Sequence, residues 1–91
     1  MVGTTQLEPT DAEALPVEAY VLVQTEVGRS EEVTAAIRSI DGVTHADGVT
    51  GPYDVIVRAH AGDMMALGRL IRAIQEVDGI TRTVTCPVMA E

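Results

Sequence analysis

The chain has 91 residues, 46% of them apolar, and a formal net charge of −8 from six basic and fourteen acidic side chains. All six cations are Arg and none of them cluster, which argues against the basic face that phosphate contact with nucleic acid needs. A single Cys excludes an internal disulfide and the paired-Cys metal spacings, and no apolar run is long enough to span a bilayer.

The length suits one domain with a modest core. Phe and Trp are absent, and Tyr20 and Tyr53 are the only aromatic residues, so Val, Ile, Leu, Ala and Met must fill the interior. The start of the chain carries neither a basic segment nor a continuous apolar stretch, so no secretory signal is read and the cytoplasm is the expected location. Cys86 is expected to be a small buried or half-buried thiol.

Residues 1–17 read as a flexible acidic tail, because Glu8, Asp11 and Glu13 stand among Gly, Thr, Pro and Ala with no apolar period. A short helix over residues 11–15, capped by Asp11, would be ended by Pro16. The tail is too short for a helix-turn-helix domain, which needs three packed helices. The body, residues 18–91, opens with a strand over 18–27 whose centre is apolar on both alternating sets, as in a strand buried on two faces.

Gly28 ends that strand, and Ser30 is placed to cap a helix with Glu31 and Glu32 in its first turn. Val33, Ala36, Ile37 and Ile40 follow on one helical face, and Asp41-Gly42 closes the helix. Residues 43–50 read as a second strand, Gly51-Pro52 as a tight turn, and 53–59 as a third strand. Pro52 cannot donate to a ladder and so belongs at the turn. Asp63 caps a second helix whose buried stripe is Met64, Leu67, Ile71, Ile74 and Val77. Gly79 stops it, residues 80–86 form the last strand, and Pro87 closes that strand.

The chain repeats itself. Ile37-Arg-Ser-Ile-Asp-Gly-Val-Thr44 returns as Ile74-Gln-Glu-Val-Asp-Gly-Ile-Thr81, every matched position 37 residues downstream. Each copy is a helix end, a glycine stop and the start of a β-branched strand, which gives the order βαββαβ. That order implies an α+β, ferredoxin-like sandwich: a four-stranded antiparallel sheet with two helices on one face. Val21, Val23, Val55 and Val57 form one face of the central strands, while Tyr20, Leu22 and Ile56 form a second apolar face. The helices leave that second face open, so it is expected to bury itself against another copy in a two-fold homodimer.

Candidate chemistry is sparse. His45 and His60 lie near strand ends without a third ligand at a metal spacing, and no nucleophile–base arrangement has a local signature. Asp54 sits inside an apolar segment just after a turn, where a carboxylate needs pairing, hydrogen bonding or water. Arg58 and Arg82 are candidate partners, and a ligand is the alternative. Gly51-Pro52-Tyr53-Asp54 reads either as a hairpin turn before a core tyrosine or as a small-molecule site in which Asp54 receives an ammonium group.

Residues 19–89 resemble the effector-binding (RAM) domain of the Lrp/AsnC family of transcriptional regulators. The resemblance is carried by the two Asp-Gly-Val/Ile-Thr helix exits, by Val49-Thr-Gly-Pro-Tyr-Asp-Val55, and by Thr81-Arg82-Thr83. It implies a regulatory module and not an enzyme. It also implies dimers that pair through their sheets, larger assemblies of those dimers, and an amino acid bound where dimers meet. By position, the ligand site would take in Thr50, Gly51, Tyr53 and Asp54, with Met64, Thr83 and Thr85 completing it. Family regulators carry a helix-turn-helix where this chain has its acidic tail. The resemblance is therefore to stand-alone members, whose effect on transcription would pass through a partner such as a full-length Lrp/AsnC regulator. No cofactor, metal or catalytic residue is expected. Two other functions fit the pattern: an assembly module without ligand, and a small cofactor-free oxygenase or isomerase, although the latter would need a pocket lined by His or aromatic groups.

Overall fold

The computed structural model describes residues 16–89, which form β1 (Val17–Thr25), α1 (Ser30–Arg38), β2 (Val43–Gly48), β3 (Val55–Ala61), α2 (Met64–Gln75) and β4 (Ile80–Pro87). The strands make one antiparallel sheet in the spatial order β2-β3-β1-β4, the ferredoxin-like α+β architecture. The tail, with the short helix considered at residues 11–15, lies outside the described residues except at its end. There Val17 already pairs with Ala61 as the first residue of β1.

Side chains alternate across a strand, and here one set is fully buried. Ala19, Val21 and Val23 of β1 and Val55, Val57 and Ala59 of β3 pack against Val33 and Ile37 of α1 and Leu67, Leu70 and Ile74 of α2. Burying a Val, Leu or Ile in this way is worth about 1.5–3 kcal/mol per side chain, so a core without aromatic rings still closes. The opposite set, with Tyr20, Leu22 and Ile56, stays partly exposed. β1 is therefore buried on one face within the chain, not on the two that its composition suggested.

The sequence repeat has a structural meaning beyond a helix stop. Gly42 and Gly79 take φ of +98° and +100°, and their carbonyls accept from His60 N at 2.7 Å and Glu26 N at 2.8 Å. The Thr two positions later is an extra residue in its strand. Pairing passes from Val43↔Ala59 to His45↔Arg58 around Thr44, and from Thr25↔Ile80 to Gln24↔Arg82 around Thr81. The two hydroxyls do the same work: Thr44 Oγ1 donates to the Arg58 carbonyl at 3.1 Å, and Thr81 Oγ1 donates to the Gln24 carbonyl at 3.3 Å. Asp-Gly-Val/Ile-Thr thus encodes a helix exit followed by a β-bulge, a device that bends and further twists a strand. Each glycine also admits the helix of the other half. A Cβ on Gly42 would lie 2.8 Å from Leu70 Cδ2, and one on Gly79 would lie 2.9 Å from Val33 Cγ2.

Several local expectations shift. Asp63 caps α2 by accepting from Ala66 N at 2.8 Å, but Ser30 does not cap α1. A turn from Glu26 to Arg29 starts that helix one residue early, so Ser30 is its first helical residue and its carbonyl accepts from Thr34 Oγ1 at 2.7 Å. On α2, Leu70 joins the buried stripe, whereas Met64, in the first turn, is 60% exposed. β2 stops at Gly48 and β3 starts at Val55, so a longer loop replaces the tight turn expected at Gly51-Pro52.

Candidate functional site

The 49–54 loop joins β2 to β3 at the end of the sheet where β1 finishes and β4 begins. Val49 N donates to the Asp54 carbonyl at 2.9 Å and closes the loop on itself. Three bonds then fasten it to β1. Asp54 N donates to the Val23 carbonyl at 2.8 Å, Thr25 N donates to Asp54 Oδ2 at 2.8 Å, and Gln24 Nε2 donates to the Pro52 carbonyl at 2.9 Å. Thr25 sits where the β1–β4 register shifts, and the carboxylate of Asp54 satisfies its N–H. A charged acceptor in a part-buried place makes this a strong bond of its kind. Asp54 is thus held by a backbone N–H, and neither Arg58 nor Arg82 is its partner. Among the described residues its Oδ1 makes no hydrogen bond.

Thr50, Gly51, Tyr53 and Asp54 therefore share one tethered loop, with Thr50 and Gly51 exposed and Tyr53 half-buried. The remaining site residues stand elsewhere. Thr83 and Thr85 pair with Val23 and Val21, which places them on the helix side of β4, an edge strand. There Thr83 Oγ1 accepts from Gln75 Nε2 at 3.1 Å. Met64 begins α2 just beyond Ala61, whose partner is Val17, so it occupies the opposite end of the sheet from the loop. One chain does not gather all seven residues into one pocket. Gln24 was missed by sequence reasoning. It is one polar residue at the end of an apolar strand, and only the register shows that it reaches Pro52.

The open sheet face has its own order. Ile56, Leu22 and Val84 form an apolar row across β3, β1 and β4, and Arg58, Tyr20 and Cys86 form the next row. The Arg58 guanidinium lies 5.0 Å from the centre of the Tyr20 ring, donates to the Tyr20 hydroxyl at 2.6 Å, and pairs with Glu18. The hydrogen bond and charge of Arg58 hold the Glu18 carboxyl below its ordinary value, and Glu18 in turn raises Arg58. Tyr20, His45, Asp47, Ile56 and Arg58 line an open depression of about 240 Å³ on this face. Cys86 is exposed on the edge strand and not buried, because the open face has no covering layer within the chain. No group of three His, Cys, Asp or Glu is placed to hold a metal among the described residues. Nor is any helix among them long and apolar enough to cross a membrane.

At the same end of the sheet as the 49–54 loop, Arg29 binds Glu26, Glu32 and Asp78, with 3.1 Å to Glu26 and 3.0 Å to Asp78. Hydrogen bonding to Glu32 first, then to Asp78 and Glu26, raises the guanidinium further above its already high value. This network joins the β1–α1 turn to the α2–β4 turn.

Comparison with known proteins adds three findings. The family model described as the Lrp/AsnC ligand binding domain matches residues 18–91. Among curated proteins, a homocitrate synthase of Sulfolobus acidocaldarius is 33% identical over 57 residues, a match spanning 63% of this chain and 12% of that protein. Among solved structures, a Thermus thermophilus protein matches with TM-score 0.77 at 26% identity over 82% of this chain and 95% of its own. AsnC of E. coli matches with TM-score 0.76 at 25% identity, over 93% of this chain and 58% of its own length. A transcriptional regulator of Neisseria meningitidis, solved in complex with L-Met, shares the fold with TM-score 0.72 at 22% identity, over 93% of this chain and 56% of its own.

Proposed function

The chain belongs to the Lrp/AsnC ligand-binding domain family, and on that premise we propose that it is an oligomeric regulatory domain. It binds a small effector, an amino acid, at a boundary between subunits in the cytoplasm and modulates transcription through partners. The family match over residues 18–91 carries this reading, because it takes in the whole ferredoxin-like body. The loop supports the place of binding: Thr50, Gly51, Tyr53 and Asp54 are held ready by bonds to β1, and a loop ordered before binding costs less to order on binding. In this reading Asp54 Oδ1 meets the ammonium group. Met64, Thr83 and Thr85 come from other subunits, which requires an assembly larger than one chain.

The apolar row Leu22, Ile56 and Val84 supports homodimer formation through the open face. Ile56→Asp places a charge in that row and should leave monomers by light scattering. The further partner is a full-length Lrp/AsnC regulator. The reading assigns no catalytic step, cofactor or metal.

A thermal-shift screen over the twenty amino acids tests the proposal, with L-methionine first because it is the ligand of the Neisseria meningitidis structure. A ligand that binds only the folded state adds about 2.7 kcal/mol of apparent stability at a hundredfold excess over Kd. A shift with one amino acid, together with a change in particle size, supports sensing. No shift with any of them rejects sensing in favour of an assembly module. One observation favours a second target: the curated match lies within an enzyme, homocitrate synthase, and covers 12% of it. In that reading the domain controls a biosynthetic enzyme, and identifying the partner that co-purifies at native level separates the two.

A further inference from the structure

We infer that Gln24 is the positioning residue of the 49–54 loop, holding the backbone at Pro52 so that Gly51, Tyr53 and Asp54 are presented in one fixed arrangement. The inference rests on the reading of that loop as the effector site, and it assigns a part to a residue outside the short motifs that carry the resemblance. Four observations lead to it. The Gln24 side-chain amide donates to the Pro52 carbonyl at 2.9 Å, across 28 positions of sequence. Pro52 has no N–H, so its carbonyl is the one main-chain polar group through which the neighbouring strand can grip the loop at that point. The other ties, Asp54 N to Val23 O and Thr25 N to Asp54 Oδ2, both act at Asp54, at the β3 end of the loop. Without Gln24 the segment 50–53 has no tie to β1 among the described residues. Gly51, at φ +131° with nothing within 4 Å of an added Cβ, gives that segment no packing contact to hold it in place of the Gln24 bond.

The position of Gln24 is itself fixed. Its carbonyl accepts from Thr81 Oγ1 at 3.3 Å, and it is the last residue before the β1–β4 register shifts. A residue anchored by its main chain in a bulge and by its side chain on the loop transmits the rigidity of the sheet to the place where a ligand would dock. The contact is exposed, so its value lies in geometry and not in global stability.

The test is Gln24→Glu, which keeps the shape and removes the donor at neutral pH, alongside Gln24→Lys, which restores one. Amide hydrogen exchange of the ligand-free protein is read at Val49 and Asp54, the loop amides that donate hydrogen bonds, with Val21 and Val57 as sheet references. Gln24→Glu should speed exchange at the loop amides about threefold or more, the scale of one modest hydrogen bond. The references and the unfolding midpoint should not move, and Gln24→Lys should restore slow exchange. L-methionine affinity by calorimetry should weaken by a similar factor in Gln24→Glu alone. Loop exchange within twofold of wild type in Gln24→Glu would overturn the inference, as would an equal rise at the sheet references. If the wild type binds no amino acid, the sensing proposal fails, and the exchange data still decide whether Gln24 positions the loop.

Discussion

At one end of the sheet Gly42 gives its carbonyl to His60 and Thr44 bulges against Arg58; at the other, Gly79 and Thr81 do the same against Glu26 and Gln24. The main chain is built alike at both ends, and the side chains at matching positions diverge. Arg58 turns to its own sheet, bracing Tyr20 and Glu18 on β1. Gln24 reaches off the sheet to the 49–54 loop, whose Asp54 returns a bond to Thr25. Among the described residues, the corresponding place at the Arg58 end holds the entry to β1 and the exit of β4, joined by Val88 N to the Glu18 carbonyl at 2.8 Å. What repeats is scaffold, and what fails to repeat is the candidate site.

The largest expected effect tests the symmetric part. Gly42→Ala forces a side chain into positive φ and brings a Cβ within 3.1 Å of the His60 carbonyl oxygen, a backbone atom that cannot step aside. A loss of roughly 2–4 kcal/mol is expected, combining left-handed strain with crowding. Gly79→Ala has the same φ problem, but its close neighbours are side-chain atoms of Val33 and Arg29, so roughly 1–3 kcal/mol is expected. Urea midpoints at constant m measure both. Equal losses would mean that the two exits are interchangeable in packing as well as in hydrogen bonding.

A smaller effect sharpens the asymmetric part. Asp54→Ala leaves the Thr25 N–H without its acceptor at a part-buried site, a cost of about 1–2 kcal/mol. Asp54→Asn keeps an acceptor there and should recover most of that loss. It still removes the negative charge, so an amino-acid-induced thermal shift should vanish in both variants if Asp54 meets the ammonium group. A shift that survives in Asp54→Asn assigns Asp54 to the loop alone.

The smallest effect lies at the Arg58 end and depends on pH. Arg58 holds the Glu18 carboxyl below its ordinary value of 4.5. A carboxyl that binds its proton less readily when folded contributes stability above its unfolded value and loses it as pH falls through the lowered folded value. The stability difference between wild type and Glu18→Gln should therefore be flat near neutrality and shrink below about pH 4.5. Because Glu18 and Arg58 are both partly open to solvent, added salt should diminish the difference. A difference that grows in acid would place the pair's role somewhere other than charge.

The repeat, the alternation of Val21 and Val23 with Tyr20 and Leu22, and the cap at Asp63 are local properties of the chain, and they determined the βαββαβ order, the buried sheet face and α2's start. The Gly51-Pro52-Tyr53-Asp54 segment was legible as a candidate site for the same reason, since a glycine, a proline and a charge between two apolar runs stand out in sequence. Other features depend on which strand lies beside which. Thr44 and Thr81 become bulges only when β3 and β1 supply the facing carbonyls. Asp54 finds Thr25 and not an arginine because the register frees that N–H, and Gln24 acquires a role only because the sheet order sets β1 between β3 and β4. Periodicity and capping act over a few residues and can be read along the chain. Hydrogen bonds between residues 28 or 29 positions apart are fixed by register, and register exists only once the sheet has formed.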